Sequence, residues 1–457
     1  MKKSLLILLM FLYAGSHLHA QLNYVYNKRL NEVFDSICTK YNIKGASSAI
    51  IVPGEGKWER AFGESHAGAS ITTDMYLGIG SNTKTYVAAL MLKLQEQNKL
   101  SLDDTIGTWI QHPNIPGSIT IRQVLNHTSG LYSFTFNPDM NNYIMPDFTR
   151  IWPPDSVLNL VKPPVAAPGG AWDYCNTNFL VAGLIIRAVA GQPAYFVLRN
   201  EILVPQGLTE TFFYPFETPV GAIPHAWSNV LSPGNYMEDM EVVHSYSHNA
   251  MFSLAGTAGA LMTTARDNAL FWDKLMSGKI LNATSMAEFE TLVPISLGQG
   301  YGLGVFSFSN FNGRKVVSHG GTNFGFINDN IHDKTSGVSI TVLTNQDSVS
   351  NGILLNVLIR ALHQVTIQYT DVTSIVSGNS IVQVYPNPAR DILNVNIDAG
   401  KPARLKLYDM TGKVVAEQKL NTGNSKVDIS SISSGTYHLT ITIDGELLHR
   451  QTIQVVK

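Results

Sequence analysis

The chain has 457 residues, long for one domain, with 44% hydrophobic residues and 37 glycines, as expected of a globular protein with a substantial core. Charged residues make up only 14% and the formal net charge is -2. With no basic stripe and no block of like charge, neither nucleic acid nor an anionic membrane surface is the expected partner.

The chain opens like an export signal. Lys2 and Lys3 precede an apolar run from Leu5 to Tyr13, and Ala14 to Ala20 supplies a cleavage site before Gln21. The run is shorter than the roughly 20 apolar residues of a membrane span, and the next longest, Phe179 to Ala190, carries Arg187. The mature protein is therefore expected to lack an integral membrane segment and to lie outside the cytoplasm. Export permits disulfides, but the two cysteines, Cys38 and Cys175, make no framework and are expected to stay unpaired.

Next in chain order, Leu22 to Tyr41 is amphipathic with helical spacing. Ser47 to Val52 and Lys57 to Phe62 read as strands around the turn Pro53-Gly54-Glu55-Gly56. Helical patterns follow at Ser81 to Gln97 and Asn176 to Val189, separated by Pro- and Gly-rich loops. Strand-like runs return at Gly302 to Phe308, Val316 to Ser318, Phe324 to Ile331 and Val338 to Thr344, and a helix is expected from Gly352 to His363. Strands at both ends with helices between them predict an α/β (α+β) domain, an antiparallel sheet flanked by helices with an inserted helical region. Thr373 to Ser380 reads as linker. Short alternating runs at Ile392 to Ile397, Arg404 to Tyr408, Lys413 to Gln418 and Thr436 to Ile443 predict a small all-β sandwich. The expected organisation is signal peptide 1–20, main domain 21–366, linker 367–380 and β domain 381–457.

Three short segments carry chemistry. Ser81 is the only serine followed three residues later by lysine, and on a helix those positions share a face, so Lys84 can aim its amine at the Ser81 hydroxyl. Burial and a helix N-terminus both disfavour the charged amine. Tyr174-Cys175-Asn176 supplies a phenol that, near a lysine, can lose its proton more readily and relay protons. His319-Gly320-Gly321-Thr322 lies on a strand-like run whose glycines admit a substrate backbone. Taken alone, each has a bland rival. Tyr385-Pro386-Asn387 and His66-Ala67-Gly68 have the same spacings in a β module and a loop. His244 and His248 read as loop or core rather than a ligand pair, and no metal or cofactor is expected.

In this order, Ser-x-x-Lys, Tyr-x-Asn and His-x-Gly resemble the serine beta-lactamase, D-peptidase and esterase-like superfamily. Further segments match in family order: Leu125-Asn126-His127-Thr128-Ser129-Gly130-Leu131, Pro168-Gly169, Pro205-Gln206-Gly207-Leu208 and Ala258 to Thr264. The resemblance spans about Leu22 to His363. It implies that Ser81 attacks a carbonyl, that Lys84 activates it, and that Tyr174 is the general base that later protonates the leaving group. Asn176 would orient substrate, and His319 would line the site beside Tyr174. The amides of Ser81 and Thr322 would form the oxyanion hole, with Gly321 and Thr322 binding substrate. His127 and Ser129 are read as structural, a second catalytic set being the alternative. Where most beta-lactamases have lysine and then threonine or serine, this chain has His319 and Gly320. The implied substrate is thus an ester or D-amino-acid amide ahead of a beta-lactam, with His319 drawing carboxylates only when protonated. A non-catalytic surface protein on this fold is the other alternative. Val384 to Ala389, Leu407 to Gly412 and Ser434 to Tyr437 resemble the C-terminal sorting domain of type IX secretion cargo. That implies a route through the periplasm to the cell surface or medium and the secretion machinery as partner.

Overall fold

The computed structural model describes residues 24–232, 236–347, 351–378, 382–397, 402–443 and 446–457. The signal peptide 1–20 lies outside them. Two compact units meet between His363 and Gln364.

In the first unit, helix α1 (Tyr24–Lys40) leads into strands β1 (Gly45–Val52), β2 (Gly56–His66) and β3 (Ala69–Ser70). The helices that frame the site are α2 (Thr83–Glu96), α3 (Asn176–Ala190) and α4 (Ala265–Met276). Strands β4 (Val293–Ser296), β5 (Gln299–Tyr301), β6 (Phe306–Phe311), β7 (Arg314–Ser318), β8 (Gly321–Asn323), β9 (Phe326–Asp333) and β10 (Ser339–Thr344) complete one sheet. Its order is β3-β2-β1-β10-β9-β7-β6-β5-β4, with β8 paired to the end of β9. Both chain ends build the centre, because β1 pairs antiparallel with β10 in a register that sets Ala49 opposite Thr341. Every residue of β1 and β10 is buried. Helix α4 packs on these two strands, and α1 covers β2. The α1 contact is fixed by Phe34 edge-on to Trp58 and by the Trp58 indole N–H donating 2.9 Å to Asn31 Oδ1.

Helix α2 is the buried axis of the helical region. Its residues from Thr83 to Leu92 are all buried, so the run Val87 to Leu92 is apolar around the whole helix rather than along one stripe. Just before it, Asn82 donates to Asn268 Oδ1 (3.1 Å) and accepts from the Trp272 indole N–H (3.2 Å), which locks the turn at Ser81 to α4. Cys38 and Cys175 are both buried and free.

Helix α5 (Asn351–Gly378) corrects the expected linker. Residues 367–378, expected to be linker, continue the helix, and 379–381 lie outside the described residues. No glycine or proline occurs between Gly352 and Gly378, so nothing local stops the helix at His363.

The second unit has strands β11 (Val382–Tyr385), β12 (Ile392–Ile397), β13 (Ala403–Tyr408), β14 (Val414–Leu420), β15 (Gly423–Asp428), β16 (Gly435–Ile443) and β17 (Glu446–Val455). They form two antiparallel sheets, β11-β12-β15 and β14-β13-β16-β17. Alternate residues from both sheets, among them Leu393, Val395, Leu405, Leu407, Leu439 and Ile453, bury one core.

Candidate active site

The strand-to-helix turn that carries Ser81 is built from several directions. Leu77–Gly78 pairs with Leu261–Thr263, and the Ile79 amide donates 3.0 Å to Leu261 O. Gly80 adopts a φ of +45°, and a Cβ there would lie 2.5 Å from the Thr322 amide nitrogen. Gly321 is needed for the same close approach from the other side. A Cβ on it would fall 2.1 Å from Ile79 O and 2.5 Å from the Ser81 amide nitrogen. Only glycine lets β8 lie against the turn, so Thr322 and Ser81 become neighbours although 241 positions separate their numbers in the sequence.

Ser81 sits at the start of α2, with Lys84 one turn on. The Lys84 Nζ lies 2.9 Å from Ser81 Oγ and donates 2.7 Å to Ala258 O. The lysine is fully buried, and burial lowers its pKa to about 7. Its Nζ is 5.1 Å from the centre of the Tyr174 ring. Burial raises the Tyr174 phenol above its ordinary value and outweighs the opposing effect of the nearby Ser81 hydroxyl. This corrects the expectation that a neighbouring lysine would help Tyr174 lose its proton. A lysine near half-charged at neutral pH is no fixed cation, so desolvation decides.

The loop that presents Tyr174 is stitched to 126–130. His127, at φ +62°, accepts at Nδ1 from the Cys175 amide (3.2 Å), and its carbonyl accepts from the Asp173 amide (2.9 Å). Ser129 donates 2.6 Å to Asn178 Oδ1 on α3. Asn176 opens that helix, where its Nδ2 donates 3.2 Å to Thr135 Oγ1.

A cavity of about 260 Å³ opens at Ser81 and is also lined by Asn176, Thr322 and Asn323. Most of the remaining wall is apolar, from Phe134, Met140, Met251, Leu254 and Phe324. Asp347 also lines it, and among the described residues no lysine, arginine or histidine does.

His319 is not on this wall. It is 2% exposed, its Nδ1 faces Gly320 O at 2.7 Å and its Nε2 faces the Tyr301 hydroxyl at 3.1 Å. A carbonyl can only accept, so Nδ1 carries the proton and Nε2 accepts from Tyr301. Burial, with the Lys84 charge adding to it, pulls His319 down to about 3. This corrects the expectation that protonation would turn His319 into a carboxylate reader, because the ring is neutral throughout the working range. Its ring lies 6.3 Å from that of Tyr174, close enough to pack beside it.

The rival motifs fall elsewhere. His66 ends β2 and stacks on His225, while Tyr385 is half exposed in the second unit. His244 and His248 face Glu238 (2.8 Å) and Glu241 (3.2 Å). Sequence reasoning missed Tyr301 and Asp347, which lie far along the chain in no motif, and it gave Ala258 no role although that residue opens the segment Ala258 to Thr264.

The beta-lactamase family model matches residues 30–364, and the model of the secretion system C-terminal sorting domain matches residues 383–455. A putative penicillin-binding protein of Bacillus subtilis is 26% identical over 238 residues, 51% of this chain and 54% of that protein. The chain thus spans about half the length of that relative. Among solved structures, a D-stereospecific amidohydrolase from a Streptomyces species is 28% identical with a TM-score of 0.62, covering 70% of this chain and 94% of that one. The D-amino acid amidase of Ochrobactrum anthropi shares the fold at 21% identity and a TM-score of 0.66, covering 76% and 99%. With its antiparallel sheet, its helical insertion and a matched span covering most of its length, the chain belongs to the beta-lactamase family and carries a secretion sorting domain at residues 383–455.

Proposed function

We propose that the protein is an exported serine hydrolase that forms an acyl-enzyme on Ser81 and cleaves an ester or a D-amino-acid amide or peptide bond. The observation that carries this is the 2.9 Å approach of a desolvated Lys84 amine to the Ser81 hydroxyl at the mouth of a cavity. The two titratable groups at Ser81 are pushed in opposite directions, which supports separate roles for them. Lys84, brought down to about 7, takes the proton as Oγ attacks the carbonyl. Tyr174, held protonated by burial, donates to the departing oxygen or nitrogen and regains its proton from Lys84. The amides of Ser81 and Thr322 receive the oxyanion, each worth roughly 2.7–4 kcal/mol. Asn176 positions the acyl chain. His319 supports Tyr174 by packing and does not itself read a charge.

An amide or ester is favoured over a beta-lactam because the cavity wall offers no cation for a lactam carboxylate. The similarity to a D-stereospecific amidohydrolase points the same way. Type IX secretion is the export route that the C-terminal domain supports. The test is mass spectrometry of the intact protein after exposure to a fluorophosphonate, a penicillin, an aryl acetate and D-alanyl peptides. An adduct on Ser81 with turnover of the acetate or peptide is expected. An adduct on another serine would remove the assignment.

A further inference from the structure

The ionisable side chain on the described wall of the cavity is a carboxyl. Asp347 ends the short strand Gln346–Asp347, which pairs in parallel with Trp227–Ser228. It is 6% exposed. Ser228 and Gly325 lie near enough to favour its charged form, while Oδ1 is buried with no partner among the described residues. Among the described residues no lysine, arginine or histidine forms an ion pair with it, and none lines the cavity. A buried carboxylate with an unused acceptor is unfavourable unless a donor or cation completes it. Among the described residues no such cation faces Asp347, so a donor on whatever fills the cavity would complete it. Burial alone raises the Asp347 carboxyl, and an ammonium beside it would act in the opposite sense. The apolar remainder of the wall suits a bulky hydrocarbon side chain.

We propose that Asp347 is the specificity-determining residue of this cavity and that it reads a protonated amine on the substrate. The preferred acyl donors are then esters or amides of apolar amino acids with a free amino group. Donors that carry a carboxylate in its place are rejected. This rests on the acyl-enzyme reading of Ser81 and narrows its substrate class.

The test compares two 4-nitrophenyl esters, of D-phenylalanine and of 3-phenylpropionic acid, which differ only in the amine. Each kcat/KM is divided by the ester's rate of hydroxide hydrolysis, to remove the activating effect of the ammonium. The wild-type protein is expected to favour the amino ester by about ten- to a hundredfold, the range of a charge-assisted hydrogen bond. Asp347→Asn should bring that ratio towards one, and Asp347→Glu should keep it above one. A wild-type ratio near one, or a ratio unchanged in Asp347→Asn, overturns the proposal. Should Asp347→Asn fail to fold, protection of wild-type Ser81 against a fluorophosphonate decides. D-phenylalaninamide must protect at lower concentration than 3-phenylpropanamide, and equal protection overturns the proposal. The two levels of inference fail differently. A wild-type protein that takes no label and hydrolyses neither ester removes the acyl-enzyme reading. One that hydrolyses both equally leaves that reading intact and removes the role of Asp347.

Discussion

Replacing Gly321 by alanine puts one methyl group into the tightest contact of the site. The added Cβ would stand 2.1 Å from Ile79 O and 2.5 Å from the Ser81 amide nitrogen, where real Cβ contacts stay above 3.0 Å. Both neighbours are backbone, so no side chain can swing aside. Strand β8 must retreat from the serine turn by at least about 0.9 Å, the difference between 3.0 and 2.1 Å. A displacement near 1 Å is enough to cost on the order of a hundredfold in rate. Losing one oxyanion donor is worth roughly 2.7–4 kcal/mol, or about 10² to 10³ in kcat. The expected result is therefore a fall of about two to three orders of magnitude in kcat for an aryl acetate, with KM changed little. Gly352→Ala is the control, since a Cβ there meets nothing within 4 Å. Thermal unfolding of Gly321→Ala reports whether the strand has merely shifted. Should that variant turn over within threefold of wild type while folded, the Ser81 and Thr322 amides are not the oxyanion donors.

Other outcomes follow from the same geometry. Ser81→Ala should abolish fluorophosphonate labelling and turnover without loss of fold, and labelling that persists would place the nucleophile elsewhere. Since burial brings Lys84 to about 7 and only its neutral form can take a proton, kcat/KM should climb as pH rises through about 7 and then level off. No second limb is expected near the ordinary histidine value of about 6.5, because His319 is held near about 3. Lys84→Arg should lose the activity and the limb together; an unaltered profile would acquit Lys84 as base. Tyr174→Phe should cut turnover by about 10² to 10⁴ with little change in unfolding temperature, and wild-type rates across pH would exclude it as proton donor. In a host with type IX secretion, removing residues 382–457 should leave a folded hydrolase in the periplasm. Normal arrival in the medium would refute the sorting role.

What the sequence disclosed depended on how local each feature is. The Ser81–Lys84 pair is a matter of helical spacing, and the run to Glu96 was legible for the same reason. Strands β1 and β10 announced themselves as short β-branched and apolar runs between turn residues. Strand β17 did not, because Arg450 and Gln454 interrupt its pattern, and β11 is a strand of only four residues. The end of α5 was misplaced because Ser and Thr near Gly378 suggest a loop, while the absence of Gly and Pro before it lets the helix continue. The charge states of Tyr174 and His319 were beyond reach, since both follow from burial, which no short motif encodes. Asp347 was invisible for a related reason: its meaning lies in what does not surround it.

The pairing of β1 with β10 has a consequence in time. Ser81 is synthesised early, but the strand that faces it hangs on β9, and β9 is held by β10, whose last residue is Thr344. Contacts between such distant parts of a chain form late in folding. A nascent or translocating chain cut off before Thr344 has a serine, a lysine and a tyrosine, but no opposing wall. The site around Ser81 is thus completed all at once, near the end of the first unit's assembly.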